Sequence, residues 1–172
     1  MKRVKTTIEI DGITTVGAEQ IKDLLSASKD TSRRRAALPI HKSNADIIQR
    51  VLIGAQTDTY IAPHKHPDKK WEQITLIQGA LDILLFTDDG MLFKRISLKQ
   101  HSQILCEYPA NQLHAAVILE PNTLVLEVKE GPYVPETAKT HPDWAPIEGS
   151  YLTRQALEKL YSLVEGQHFH LV

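Results

Sequence analysis

From Asp46 to Lys129 the chain breaks into short apolar runs separated by turn residues, at roughly the 8 to 12 residue spacing of a β-sandwich or barrel. The runs are Ile47 to Ile53, Thr59 to Ala62, Glu72 to Ile77, Ala80 to Phe86, Met91 to Leu98, Gln103 to Glu107, Leu113 to Leu119 and Thr123 to Lys129. Eight strands is the jelly-roll count, and Gly79, Asp88-Asp89-Gly90 and Pro121-Asn122 supply tight turns between them. Helical spacing occurs only outside this block. Ile21, Leu24, Leu25 and Ala27 predict a helix over about 18 to 29, and Leu152, Ala156, Leu157, Leu160 and Leu163 predict one over 153 to 164, with Thr153 as N-cap. Residues 4 to 16 alternate loosely around Asp11-Gly12 and suggest a short hairpin or an edge strand. The proline-rich stretch 131–149 cannot hold regular ladder bonds and should wrap over the surface, pinned by Tyr133 and Trp144. The expectation is one all-β domain over 1–172: a jelly-roll barrel at about 45–130, a wrapping segment at 131–149, and a C-terminal helix and tail at 150–172, with both helices packed outside.

Composition narrows the partners. Lys plus Arg (20) nearly balance Asp plus Glu (21), leaving a net charge of -1, so no global field attracts nucleic acid or an anionic membrane. Cys106 is the single cysteine and sits in a strand-like run, which fits a buried thiol in a reducing compartment. The start Met1-Lys2-Arg3-Val4-Lys5 is basic, but polar and acidic residues follow where a signal peptide needs an apolar run. A cytoplasmic protein is expected.

Chemistry concentrates in Pro63-His64-Lys65-His66-Pro67 and Pro109-Ala110-Asn111-Gln112-Leu113-His114. Two histidines one residue apart on extended chain point to the same face, so His64 and His66 can share a cation while Lys65 points away. Glu72 lies six positions beyond His66, roughly 20 Å on a straight strand, so it reaches the same ion only if the chain reverses and returns on the adjacent strand. Pro67-Asp68-Lys69-Lys70 is a plausible turn for that reversal. Glu72 shares a face with Ile74 and Leu76, and an anion projecting into an apolar interior needs a cation beside it. His114 is the one ionisable group on a strand apolar on both faces. Taken alone it reads as a satisfied core histidine; with three companions it reads as a ligand. Three imidazoles and a carboxylate suit a divalent transition metal such as Fe, Zn, Ni or Mn.

These residues resemble the motifs of the cupin superfamily. His64, His66, Glu72 and Gly79 match the first motif, with five residues rather than three or so between His66 and Glu72, and with Gly54 further upstream than usual. Pro109, Asn111 and His114 match the second motif, where asparagine replaces a glycine and Ile118 stands where an asparagine is common. Asparagine is the next best residue for a left-handed backbone position. A narrower resemblance covers about residues 20 to 149. Ser32-Arg33-Arg34-Arg35, Gln49-Arg50-Val51-Leu52, Pro63-His64-Lys65-His66, Glu127-Val128-Lys129-Glu130-Gly131-Pro132-Tyr133 and Trp144-Ala145-Pro146 look like the WbuC-family cupin-fold metalloproteins. The resemblance implies a double-stranded β-helix with a divalent metal, encoded in bacteria near genes of surface-polysaccharide and amino-sugar biosynthesis.

The remaining residues are weighed around that site. Arg50, a charge within the apolar run Ile47 to Ile53, is a candidate for orienting an anion, against an outward arginine on a barrel edge. Glu127 and Lys129 share one strand face, which either lines the barrel or meets solvent. Tyr133 is a further candidate substrate contact, against a role in packing the proline turn. The Arg33 to Arg35 cluster is either a solvated loop or an anion-binding lip. His168 and His170 read as tail, and His41, His101 and His141 as solvated. The expected function is a metal-dependent enzyme acting on a small anionic or sugar-derived substrate, isomerase-like or dioxygenase-like, with a non-catalytic binding or sensory module and an ion-stapled structural domain as rivals. Apolarity on both faces of Leu113 to Leu119 exceeds what lining a small barrel requires and suggests a homodimer.

Overall fold

Apolar alternation on both sides of the chain produces two antiparallel sheets that face each other across a shared core. The computed structural model describes residues 8–10, 12–66 and 70–171. The basic N-terminal segment and the turn expected at Pro67-Asp68-Lys69 lie outside the described residues. A short hairpin, β1 (Ile8–Ile10) with β2 (Ile13–Thr15), precedes helix α1 (Ala18–Asp30). Then follow β3 (Arg35–Pro39), β4 (Ile48–Ala55), β5 (Glu72–Gln78), β6 (Ala80–Phe86), β7 (Leu92–Lys99), β8 (Leu105–Tyr108), β9 (Leu113–Ile118), β10 (Thr123–Glu130) and helix α2 (Thr153–Ser162). One sheet has the order β3-β4-β10-β5-β8 and the other β7-β6-β9. The chain crosses between them at β5 to β6, β7 to β8, β8 to β9 and β9 to β10, giving the double-stranded β-helix of the cupin fold with its two helices outside.

Period-two alternation decides what each face meets. Leu81, Ile83 and Leu85 of β6 point inward with Ile74, Leu76, Val125 and Ile118, forming the core between the sheets. Leu84 and Phe86 point outward with Leu113, Ala115 and Val117, and α2 covers them with Ala156 and Leu160. The apolar surplus of β9 is therefore buried by the chain's own C-terminal helix. Helix α1 does the same for the other sheet, packing Leu24 on Leu38, Leu52 and Leu124. Among the described residues, no helix is long and apolar enough to cross a membrane.

The eight strands of the two sheets are not the eight expected. Thr59 to Ala62 forms no strand: Thr59 N–H donates back to the Gln56 carbonyl at 3.0 Å, and pairing starts only at His64. Its place is taken by β3, an edge strand whose short Arg35-Ala36-Ala37-Leu38-Pro39 run ends in the proline that an edge tolerates. Thr153 starts α2 but does not cap it; Leu152 is the N-cap residue, with no side-chain hydrogen bond. The wrapping segment makes one regular pairing after all, between Thr140 and Lys65.

Gly79 turns β5 into β6 at φ +83°. A Cβ there would lie 2.9 Å from Thr123 Cα and closer still to its hydroxyl, which is itself bonded to Ala80 and Glu120. Gly79→Ala is expected to cost about 2 kcal/mol, from the left-handed backbone plus crowding, read as a lowered urea midpoint with an unchanged slope.

Candidate metal centre

The His64 segment is not a strand but an extended crossing held by single pairs. His64 and His114 exchange both backbone hydrogen bonds, at 2.9 and 2.8 Å, so the segment extends the three-stranded sheet next to β9. Directly paired antiparallel residues share a face, so both imidazoles enter the barrel. Asn111 takes φ +63°, the left-handed value expected of it, and donates its N–H to the His66 carbonyl at 3.1 Å. Glu72 comes from elsewhere. It lies at the start of β5 in the five-stranded sheet, paired with Lys129 on one side and Tyr108 on the other. The reversal after His66 thus carries the chain to the facing sheet, not to an adjacent strand, and the site is closed from both walls.

The three histidines offer one ring nitrogen each within 4.8 Å of one another, all buried. Each has its other nitrogen engaged: His64 Nδ1 with Ala62 O at 2.8 Å, His66 Nδ1 with Ala138 O at 2.6 Å, and His114 Nδ1 with Gln112 O at 2.9 Å. A carbonyl only accepts, so each Nδ1 donates its proton and each Nε2 presents a lone pair to the centre. His66 Nε2 and His114 Nε2 have no hydrogen-bond partner, nor has Glu72 Oε2. Glu72 Oε2 nonetheless lies 2.5 Å from His66 Nε2, and Oε1 lies 3.9 Å from His114 Nε2. Buried lone pairs facing one another without donors are what a cation satisfies, and this donor set fits a transition metal. Carbonyl-anchored imidazoles are also the arrangement that fixes tautomer and ring orientation around a metal.

Electrostatics agree with neutral imidazoles at His64 and His114 and an ionised carboxylate at Glu72. Burial holds His64 and His114 below the usual 6.5, with the neighbouring His114 and Lys139 charges adding at His64. Burial alone would raise Glu72, but the His66 and His114 rings beside it outweigh that and hold it below the usual range. Tyr108 donates its hydroxyl to Glu72 Oε1 at 2.7 Å, and its ring centre lies 4.4 Å from that of His114. Its apolar strand neighbours gave no sign of this role.

Glu127 and Lys129 lie on the inward face, opposite Ile74 and Glu72 respectively. They pair at 2.7 Å and are about equally shielded from solvent. Burial, with Glu72 adding, raises Glu127; at Lys129 the Glu127 and Glu72 charges outweigh burial and raise the ammonium. Arg50 does not join them. It shares the outer face of β4 with Leu52, is exposed, and sits beyond the reach of α1, beside His41. Its charge meets solvent, which is why an apolar strand tolerates it. Tyr133 is 37% exposed on the wrapping segment, with Lys129 Nζ 5.8 Å from its ring centre.

The arginine cluster is internally paired. Arg33 Nε and an Arg35 terminal nitrogen hold the two oxygens of Glu148 at 2.9 and 2.5 Å, while Arg34 pairs with Asp58 at 2.7 Å. Arg35 also donates to Tyr60 O at 2.9 Å and anchors the wrapping segment to β3. Burial opposes the charge of Glu148, yet Arg35 and Arg33 outweigh it and lower its pKa below the usual 4.5. A depressed folded-state pKa gives stability that is present above 4.5 and lost as pH falls below it. Glu148→Gln should cost about 1 kcal/mol at pH 7. The gap between the denaturation midpoints of the two proteins should narrow toward pH 4.

Two further residues enter the site that sequence patterning placed in solvent or passed over. The His141 ring centre lies 5.9 Å from that of His64, and its Nδ1 meets Pro63 O at 3.0 Å. Lys139 acts on His64 electrostatically from the same segment. His168 stays at the surface against Asp89, at 3.1 Å, while its neighbour Phe169 is buried under the outer core.

A family profile described as "Domain of unknown function (DUF6016)" matches residues 16–98. No curated protein matches the chain. Among solved structures, CapF with the inhibitor 3-isopropenyl-tropolone aligns at TM-score 0.55 and 13% identity, covering 64% of this chain and 32% of that one. Protein SO0799 from Shewanella oneidensis aligns at 0.51 and 9% identity, covering 62% and 73%. An uncharacterized conserved protein with a double-stranded beta-helix domain, from Klebsiella pneumoniae, aligns at 0.48 and 16%, covering 63% and 84%. The chain spans about a third of the CapF chain that it matches. Identities this low speak to the fold alone.

Proposed function

We propose that this protein is a divalent-metal enzyme of the cupin fold, acting on a small anionic or sugar-derived molecule. The observation that carries the reading is the set of three buried imidazoles whose Nδ1 atoms are all spent on backbone carbonyls and whose ligand nitrogens converge, those of His66 and His114 without a hydrogen-bond partner. Glu72, oriented by Tyr108, supplies the fourth donor. A bound metal would act there as a Lewis acid toward an oxygen of the substrate. Around it the chain provides an inward carboxylate and ammonium, Glu127 and Lys129, able to hold or move a proton beside the reacting group. Arg50 has no part in this scheme, because it lies outside. The WbuC-like stretches favour a substrate from surface-polysaccharide or amino-sugar metabolism.

Elemental analysis of freshly purified protein tests the metal, with about one transition-metal ion per chain expected. Incubation of the metal-loaded protein with nucleotide sugars and small hydroxy or keto acids then tests turnover by mass change. Failure to take up zinc, cobalt, manganese or iron would sink the metal reading; tight ligand binding with no product across the panel would replace an enzyme with a binding module.

A further inference from the structure

The wall that carries the histidines does not end at His64 and His66. Lys65 and Thr140 exchange both backbone hydrogen bonds, N–H to O at 3.0 Å in one direction and 2.9 Å in the other. That reciprocity fixes the register: Thr140 opposes Lys65, so His141 falls opposite His64 and Lys139 opposite His66. Cross-strand partners share a face with Cβ atoms roughly 5 Å apart. Lys65 and Thr140 point away from the barrel, so Lys139 and His141 point toward the side that His64 and His66 occupy. The 5.9 Å separation of the His64 and His141 rings and the influence of Lys139 on His64 are independent signs of the same placement.

Charge accounting then singles out one cation. Four positive side chains and one anion gather at this side of the barrel, for Glu148, Arg33, Arg35 and Lys129 all act electrostatically on Lys139. Arg33 and Arg35 are spent on Glu148, and Lys129 is spent on Glu127. Lys139 makes no ion pair among the described residues and is exposed, so its ammonium is open to an incoming molecule.

We propose that Lys139 is the anchor for the carboxylate of a small carboxylic-acid substrate. The backbones of Lys139 and His66 lie one strand spacing apart, about 5 Å. His141 borders the same space and offers a further polar contact to the anion. The assignment rests on the metal reading above and adds to it the class of molecule bound.

The test uses cobalt-loaded full-length protein, with glycolate as probe and glycolamide as its neutral counterpart, read by calorimetry and by the visible cobalt spectrum. Lys139→Gln should weaken glycolate by about tenfold, the loss of one charge-assisted hydrogen bond. Glycolamide affinity and cobalt stoichiometry should be unchanged, and Lys139→Arg should hold glycolate within about threefold of wild type. Equal glycolate affinity in wild type and Lys139→Gln overturns the anchor, as does a cobalt-loaded wild type that ignores glycolate. A wild type that takes up no cobalt overturns the metal reading and the anchor with it.

Discussion

A His64→Ala, His114→Ala double variant should lose essentially all stoichiometric metal while the barrel still folds. The two residues are paired to each other through the backbone, which alanine preserves, so the register of the wall survives. What disappears is two of three converging nitrogens. Zinc affinity should fall by about three orders of magnitude or more, since such sites hold their ion through the full ligand set. Zinc added to wild type should raise the melting temperature by mass action, and the variant should show no such rise. Circular dichroism establishes that the fold is retained. A double variant that binds zinc as wild type does would place the ion elsewhere.

Leu160→Ala carries the second large effect, and it separates architecture from chemistry. Leu160 is fully buried on α2, against a cluster that includes Leu84, Val117 and Phe169. Removing it takes away apolar burial and leaves a cavity between α2 and the outer face of the three-stranded sheet, costing about 3 kcal/mol in urea denaturation. Metal stoichiometry should be unaffected, because His114 points from the opposite face of β9 and His64 is paired beside it. A cost below about 1 kcal/mol would mean that α2 is loosely held and that the outer face of β9 awaits a different cover.

Much of this arrangement was legible in the residues. Short apolar runs bounded by turn residues made β5, β6, β9 and β10 readable nearly to their ends, and a histidine pair one residue apart on extended chain admits little else than a shared face. The errors have physical causes. Thr59 to Ala62 has the composition of a strand, but its backbone bonds go to a turn, and composition does not say where hydrogen bonds go. β3 hid behind three arginines because an edge strand needs only one apolar face. Arg50 was misread because a charge in an apolar run signals either a pocket or an uncovered stretch of outer face, and only the length of α1 decides between them. Glu72 was rightly required to turn back toward His66, yet distance along a chain cannot name the sheet it returns on. Lys139 and His141 left no trace, since a single backbone pair between distant segments has no period.

The carbonyl that orients His66 belongs to Ala138, 72 residues further along the chain. A nascent chain that has emerged only through β5 possesses His64, His66 and Glu72 but neither His114 nor the group that sets the His66 ring. Loose capture of an ion is available early, whereas a fully formed coordination sphere waits until the wrapping segment has docked. In the proposed metal enzyme, occupancy would therefore be a report on chain completion: a truncated or nicked molecule would declare itself by failing to hold an ion before losing its barrel.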